Sequence, residues 1–518
     1  MAILGNLIMK GIIFSKSLEQ QYSNPAELQK HELRKLLITA SDTEFGRKHH
    51  FKSVLSDFKG KDFYQFFRSF KQNVPAFSYD EMYEQWWTRS KNGEKNICWP
   101  GRIKFFALSS GTSGTSSKYI PITKEQIKAI RRTSVWQLVT LSKYSLPDEL
   151  FTTGVLLLGG STSLNYNGTF FEGDLSGITT KHIPFWFQRF YKPGQKIARN
   201  MDWGMKLDEI TRKADKWNIG VIAGVPAWVQ ILLEKIIDHY GISHIHEIWP
   251  DFSIFVHGGV AFEPYKSTFQ KLLGKPLIYI ETYLASEGFL AYQNRPDADG
   301  MKLVLNNGIF FEFVPFNSKN FDGDGKMTIN PESLLIDEID LNRDYAPLIS
   351  TTAGAWRYLI GDTIQLVNRD LSEIIITGRT RHFLSLCGEH LSLDNMNKAI
   401  LLIDDELKLG VKEFTVIGER YENLFAHRWY VGVEQEISSG QVRKLLDHHL
   451  KILNDDYRTE RQHALREIFV TLLPNAVFYD FLRSAGKEGG QNKFPRVLKG
   501  EKKEAWENFL TTIKLKHD

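Results

Sequence analysis

The stretch LSSGTSGTSSK, at residues 108–118, lies between two segments with the character of buried strands. The segment before it, 103–107, is almost wholly apolar. The segment after it, 119–123, has a proline at its third position, and the residue before a proline is biased towards extended structure. Glycine lets the backbone come close to a ligand, while hydroxyl groups, backbone N–H groups and a lysine can surround phosphate oxygens. The stretch therefore predicts a phosphate-binding loop between two strands, although a flexible surface turn has the same composition.

The composition describes an ordinary globular protein of more than one domain. The chain has 518 residues, of which 42% are hydrophobic, and its 65 basic and 61 acidic side chains give a net charge of +4. No basic block marks a nucleic-acid surface, and no apolar run approaches the roughly 20 residues of a membrane span. The two cysteines, Cys98 and Cys387, have no metal-ligand spacing and fit a reducing compartment. We expect a cytoplasmic monomer without a nucleic-acid partner.

The order of apolar runs predicts an α/β fold. Asn24 and Pro25 begin a helical pattern that ends near Phe45, and further along the chain short apolar strands alternate with helical patterns. This alternation predicts a large N-terminal domain, 1–380, with mostly parallel sheets and a β-rich part at 310–369. After it we expect a smaller, mobile α+β domain, 381–518. The predicted strands of the parallel sheet are 154–160, 220–224, 253–257 and 276–280.

Three later motifs carry groups that suit a nucleotide site. YLASEG, at 283–288, follows a predicted parallel strand, where ligands bind in open sheets, and one carboxylate beside a hydroxyl suits Mg²⁺. WRYLIGD, at 356–362, ends in an aspartate that can accept hydrogen bonds from both ribose hydroxyls. GGQNKFPR, at 489–496, places a lysine on a glycine-flanked loop. Each motif has a simpler interpretation: a helix cap, a turn residue and a solvated lysine, respectively.

Taken together and in this order, the motifs resemble the Gretchen Hagen three family, the acyl-acid amido synthetases of the adenylate-forming superfamily. The resemblance covers nearly the whole chain. It rests on TEFG at 43–46, WPG at 99–101, the loop at 109–118, VHGGV at 256–260, YLASEG at 283–288, TTAGAWRY at 351–358 with GD at 361–362, GR at 378–379 and QNKFPR at 491–496.

This resemblance implies a role for each matching residue. The implied roles are the phosphate loop for Ser109, Ser110, Gly111, Thr112, Ser113 and Lys118, the border of the adenine for Gly258, Gly259 and Tyr283, the α-phosphate for Ser286, Mg²⁺ for Glu287, and the ribose for Asp362 with Arg379 nearby. Lys493 would bridge the acid carboxylate and the α-phosphate, and Arg381 would be the hinge about which the small domain rotates.

The function that the resemblance implies is ATP- and Mg²⁺-dependent adenylation of a carboxylic acid. Pyrophosphate leaves, and the acyl group passes to an amine, which is often an amino acid. Two alternatives stay open. One is an acyl-CoA or acyl-protein ligase that ends in a thioester, and the other is a catalytically silent nucleotide-binding protein. Because Glu287 and Lys493 are both present, and binding alone needs no remote lysine, the sequence favours an enzyme.

Overall fold

The computed structural model describes residues 24–56, 58, 62–110, 117–144, 146, 150, 152–183, 187–260, 262–322, 325–380, 383–435, 437–484 and 494–517. The chain forms two compact units. The first comprises Met1–Ser109 and Tyr119–Thr380, and the second comprises Ser110–Lys118 and Arg381–Asp518. None of the described helices has both the length and the hydropathy that crossing a bilayer requires.

The helices of the chain up to Thr380 are α1 (Pro25–Ala40), α2 (Glu44–Lys48), α3 (Phe51–Ser56), α4 (Phe63–Asn73), α5 (Tyr79–Met82), α6 (Thr88–Lys91), α7 (Lys124–Thr140), α8 (Leu175–Lys181), α9 (Gln195–Ala198), α10 (Trp203–Thr211), α11 (Pro226–Tyr240) and α12 (Glu263–Leu272). A π-helical turn, Tyr83–Trp87, joins α5 to α6, and 3₁₀ turns lie at Leu141–Lys143, Ala214–Lys216 and Ile245–Glu247.

The strands of the same part are β1 (Phe105–Ser110), β2 (Ser117–Ile122), β3 (Gly154–Leu158), β4 (Asn165–Tyr166), β5 (Phe171–Gly173), β6 (Tyr191–Lys192), β7 (Ile219–Gly224), β8 (Ile254–Gly258), β9 (Ile278–Ala285), β10 (Gly288–Tyr292), β11 (Met301–Leu303), β12 (Ile309–Pro315), β13 (Asp344–Thr351), β14 (Tyr358–Leu359), β15 (Asp362–Asn368) and β16 (Glu373–Arg379). The strands predicted on either side of the serine-rich loop are present as β1 and β2.

The first helix shows how local sequence sets an element's ends. The Asn24 side chain accepts a hydrogen bond from Ala26 N at 2.9 Å, and a proline occupies the first helical position. The helix ends at Ala40, earlier than the sequence predicts, because Thr43 starts a new helix by accepting from Gly46 N. A Cβ on Gly46 would lie 2.1 Å from Ala40 O, so only glycine allows this close turn.

One mixed sheet of 12 strands organises the first unit, in the order β12-β13-β15-β16-β11-β10-β9-β8-β7-β3-β6, with β14 paired to β13. The pairs from β6 to β9 are parallel, which confirms the predicted alternation of strands and helices. The remaining pairs are antiparallel. They include the predicted β-rich part, 310–369, and extend beyond it to β9, β10, β11 and β16, so that the antiparallel part is continuous with the parallel part in one sheet. A separate four-stranded sheet has the order β2-β1-β5-β4.

The second unit contains β17 (Phe383–Leu384), β18 (Leu391–Ser392), α13 (Leu393–Leu407), β19 (Phe414–Tyr421), β20 (Leu424–Val433), α14 (Ser439–Leu453), α15 (Asp455–Glu460), β21 (Leu465–Pro474), α16 (Asn475–Ser484), β22 (Val497–Leu498) and α17 (Gly500–His517). Its sheet has the order β21-β20-β19-β22. The predicted α+β character of this segment is confirmed. One of its cores surrounds the fully buried Trp506, whose ring packs against Phe478, Phe481 and Phe494.

Candidate nucleotide site

Several predicted site residues lie outside the described part of the chain. They are Gly111, Thr112 and Ser113 of the predicted phosphate loop, together with Arg381 and Lys493. The loop is therefore described only at its two ends, where Ser109 and Ser110 close β1 and Lys118 follows the start of β2. The roles assigned to all of these residues stay predictions.

Three of the predicted residues, which come from three separate motifs, meet at one carboxylate. The Tyr283 hydroxyl donates to Asp362 Oδ2 at 2.5 Å, and Arg379 Nε lies 2.9 Å from Asp362 Oδ1. Asp362 and Arg379 are register partners on β15 and β16, so the antiparallel pairing itself places them side by side. Tyr283 reaches the same carboxylate from β9.

The protonation of Tyr283 follows from its burial. Burial, and after it the negative charge of Asp362, raises the pKa of Tyr283 well above its usual value, so the phenol remains a hydrogen-bond donor at neutral pH. Asp362 is only 7% exposed, whereas the Arg379 side chain is 35% exposed. A carboxylate offers about four lone pairs, so Asp362 has the capacity to accept further hydrogen bonds, such as those of a ribose diol.

The turn between β9 and β10 carries Ser286 and Glu287, and it is held from two sides. Gln126 Nε2, from α7, donates to the carbonyl oxygen of Ser286 at 3.1 Å. The Tyr358 hydroxyl, from β14, donates to Glu287 Oε1 at 3.1 Å. Because this segment is a turn between paired strands, the alternative interpretation of YLASEG as a helix cap is wrong.

Tyr358 and Gln126 hold the β9–β10 turn in place through these hydrogen bonds, a role that the sequence did not predict for either residue. Tyr358 belongs to the WRYLIGD motif, so its place in that motif was a usable signal. Burial raises the pKa of Tyr358 well above normal, and the Glu287 charge raises it further, which keeps it a donor to that carboxylate. Gln126 has no such signal, because its role depends on how α7 packs against β10.

The glycines predicted to border the adenine lie at the carboxyl end of β8. A Cβ on Gly258 would lie 2.4 Å from Thr282 O, so the backbones of β8 and β9 approach as closely as they do only because the side chain is missing. Gly259 has φ of +84°, a conformation that favours glycine. The two glycines therefore leave backbone that no side chain covers at the carboxyl end of β8, the strand next to β9, which carries Tyr283.

The turn between β9 and β10 offers one carboxylate that could hold a metal ion. Within the described ranges, no three His, Cys, Asp or Glu side chains form a group that could hold a metal. Mg²⁺ is commonly bound by one or two carboxylates together with water and substrate phosphates. Glu287, only 9% exposed, supplies one such carboxylate.

Arg357, the second residue of the WRYLIGD motif, has a structural role. Its guanidinium lies 2.9–3.0 Å from the Glu312 carboxylate and donates to Val74 O at 2.7 Å, and both charged side chains are almost fully buried. The positive charge is therefore paired inside the core and is not presented to a ligand.

Comparison with known proteins shows which family the chain matches. Three domain models of one family match the chain: the GH3 family N-terminal domain over residues 14–203, the central domain over 302–372 and the C-terminal domain over 394–502. The indole-3-acetic acid-amido synthetase GH3.2 of Arabidopsis thaliana is 21% identical over 420 residues, which is 68% of this chain and 73% of that protein. The jasmonoyl–L-amino acid synthetase JAR4 of Nicotiana attenuata is 22% identical and aligns with 50% of this chain and 46% of its own.

Two solved structures share the fold across nearly the whole chain. The GH3.15 acyl acid amido synthetase matches with a TM-score of 0.58 at 16% identity, covering 95% of this chain and 94% of its own. A 2-hydroxyisobutyryl-CoA ligase in its thioesterification state matches with a TM-score of 0.57 at 13% identity, covering 94% and 92%.

Proposed function

Since this chain belongs to the GH3 family, we propose that it is an ATP-dependent acyl-acid amido synthetase. It adenylates a carboxylic acid, releases pyrophosphate and transfers the acyl group to an amine, which we expect to be an amino acid. The observation that carries this proposal is the convergence of Tyr283 and Arg379 on the buried Asp362 carboxylate, beside the carboxyl ends of the parallel strands. The curated relatives that match this chain are amido synthetases, which supports the same reaction.

In the first half-reaction the described residues bind and orient ATP. Asp362, with its geometry fixed by Tyr283 and Arg379, would accept the ribose hydroxyls, and the bare backbone at Gly258 and Gly259 would border the adenine. Glu287 would hold Mg²⁺, which when bound neutralises phosphate charge. A carboxylate is a nucleophile at neutral pH, so the enzyme supplies position and charge neutralisation and needs no activating base.

Lys493 is the residue proposed to act on the acid carboxylate and the α-phosphate together. Replacing Lys493 by alanine should abolish formation of the acyl-adenylate while leaving ATP binding nearly intact, because the lysine neutralises charge that develops in the transition state. ATP–pyrophosphate exchange measures the first property, and calorimetry with a non-hydrolysable ATP analogue measures the second. Undiminished exchange in the variant would contradict the proposed role.

For the second half-reaction we propose that the C-terminal domain, 381–518, rotates about Arg381. The division of the chain into two compact units at this position supports a hinge there. We further propose a cytoplasmic, monomeric enzyme whose partners are a small carboxylic acid and an amine.

An amide product is favoured over a thioester. The likeness to the coenzyme A ligase extends to the fold alone, whereas the curated relatives that match this chain are amido synthetases. Mass spectrometry of one reaction tests the choice. It contains the protein, Mg-ATP, a pool of carboxylic acids, the amino acids and coenzyme A.

An amide together with AMP would confirm the proposal and identify both substrates. A thioester with AMP would move the protein to the ligase class and refute the amide step. Tight ATP binding without AMP, across acid pools of every major class, would favour the silent nucleotide-binding alternative.

A further inference from the structure

A small cavity with several polar lining residues lies beside the predicted magnesium ligand, within the first unit. Its volume is about 10 Å³, which is room for about one water molecule. Its polar lining residues are Gln126, Glu287, Thr133, Asn307, Thr351 and Thr352, and apolar side chains form much of the rest. The cavity therefore joins the first turns of α7 to the β9–β10 turn. Of these polar residues, only Glu287 has a role in the proposed function.

Gln126 differs from its neighbours in this wall because its amide nitrogen has a hydrogen-bond partner and its amide oxygen has none among the described residues. The residue is 2% exposed, and its Nε2 donates to Ser286 O, which fixes the orientation of the amide. The other end, Oε1, is buried and has no hydrogen-bond partner among the described residues. Leaving a buried amide oxygen without a partner is unfavourable, so this position suits a donor from outside the chain.

Three other polar side chains around the cavity, those of Asn307, Thr133 and Thr351, have partners within the chain. Asn307 donates to Ala129 O at 2.7 Å and to Thr133 Oγ1 at 2.8 Å, and its oxygen accepts from Arg132 at 3.2 Å. Thr351 Oγ1 accepts from Ala353 N. Gln126, which lines the cavity and contacts the Ser286–Glu287 turn through Nε2, is thus the lining residue that carries a buried acceptor without a partner among the described residues.

We propose that Gln126 Oε1 accepts a hydrogen bond from a water molecule bound to the Mg²⁺ that Glu287 holds. The inference rests on the proposed function, since it takes Mg²⁺ from there. Mg²⁺ keeps several water ligands in proteins, and these waters need acceptors in the surrounding wall. Gln126 is therefore a positioning residue with two contacts, one to the backbone of Ser286 and one to the hydration shell of the metal.

Direct metal binding tests this role in the full chain. Mn²⁺ replaces Mg²⁺, a non-hydrolysable ATP analogue is present at saturation, and electron paramagnetic resonance counts free Mn²⁺. Gln126→Met, which removes both polar ends at similar length, should weaken Mn²⁺ binding by roughly 10- to 100-fold, the usual effect of losing an outer-shell partner. Affinity for the ATP analogue without metal should be unchanged.

Two further variants separate the metal contact from the structural one. Gln126→Glu keeps an oxygen at the cavity but loses the donor to Ser286 O, so it should bind Mn²⁺ at least as tightly as the native chain. Gln137→Met is the matched control, because Gln137 is a second buried glutamine of α7 that does not line the cavity. It should bind Mn²⁺ like the native chain.

Native Mn²⁺ affinity in Gln126→Met would overturn the inference, since the orphaned oxygen would then contact an ordinary buried water. Equal losses in Gln126→Met and Gln126→Glu would also overturn it, because only the bond to Ser286 would matter. Both results leave the proposed function standing as long as the native chain forms acyl-adenylate. Absence of acyl-adenylate in the native chain would instead refute the proposed function.

Discussion

Replacing Glu389 by glutamine tests whether one buried carboxylate organises the first hairpin of the second unit. Glu389 lies in the loop between β17 and β18 and is fully buried. Its oxygens accept from Leu386 N and Cys387 N at 2.9 Å, from Cys387 Sγ at 3.3 Å, and from His427 Nε2 at 2.8 Å. Every neighbour is a donor, so a glutamine amide would place its own N–H groups against another donor whichever way it turned.

The size of the effect follows from the acidity of the carboxyl group. Burial disfavours the charged form, but hydrogen bonding and attraction from His427, with the N–H of Cys387, outweigh it and lower the pKa of Glu389 to about 2. A shift of this size from an ordinary value near 4.5 corresponds to about 3 kcal/mol of stability in the ionised state. Because the folded-state pKa is depressed, this stability is fully present above about pH 4.5 and is lost as the pH falls from there towards 2.

The loss of stability is measured by urea unfolding of the full chain, with hydrogen exchange at the amides of residues 383–392 as the local probe of the second unit. At pH 7 the variant should be about 3 kcal/mol less stable, with faster exchange at the amides of Leu386 and Cys387, and the difference should shrink below pH 4.5. Glu501→Gln, at an exposed position of α17, is the control and should change stability by less than about 0.5 kcal/mol. A difference between the native chain and Glu389→Gln that did not vary with pH would refute the assigned charge.

Two other substitutions test the first unit. Asp362→Asn should weaken binding of a non-hydrolysable ATP analogue by about 10- to 100-fold, because a neutral amide loses charge-assisted hydrogen bonds; calorimetry measures this, and unchanged affinity would argue against ribose binding at Asp362. Lys206→Met should raise the unfolding temperature at pH 7 and increase the free energy of unfolding by about 2 kcal/mol. Burial lowers the pKa of Lys206 to about 8, even though Asp174 raises it, so the buried charge destabilises the native chain at this pH. The folded-state pKa lies below the unfolded value of 10.5, so this advantage should shrink as the pH rises from about 8 to 10.5, and a constant gain would contradict it.

The parallel half of the main sheet was predictable because its strands carry their signal locally. Strands β3, β7 and β8 are short apolar runs between glycines or turns, and the observed bounds lie within a few residues of the predicted ones. The extension of β9 from Ile280 to Ala285 was not predictable in this way. Its last residues are polar or lie beside Ser286 and Glu287, a sequence that also suits a helix start, and only pairing with β10 decides for strand.

The site could be predicted in its members but not in its contacts. Tyr283, Asp362 and Arg379 were named from separate motifs, and nothing in their spacing shows that one carboxylate joins the other two side chains. That contact depends on the register of β15 with β16 and on where β9 ends. The roles of the loop residues 111–113 and of Lys493 remain predictions from family resemblance.

The β9–β10 turn owes its geometry to elements that are far apart in the sequence. Tyr283 is held by β15, the Ser286 carbonyl by α7 and the Glu287 carboxylate by β14. Helix α7 begins directly after β2, the strand that follows the predicted phosphate loop. This helix is held at two points: its N-cap Thr123 donates to Thr352 O at 2.8 Å, and Gln126 donates to Ser286 O in the β9–β10 turn. The groups proposed to contact ribose, α-phosphate and metal are therefore set before ATP binds, which is the condition under which positioning and fixed charge lower a barrier.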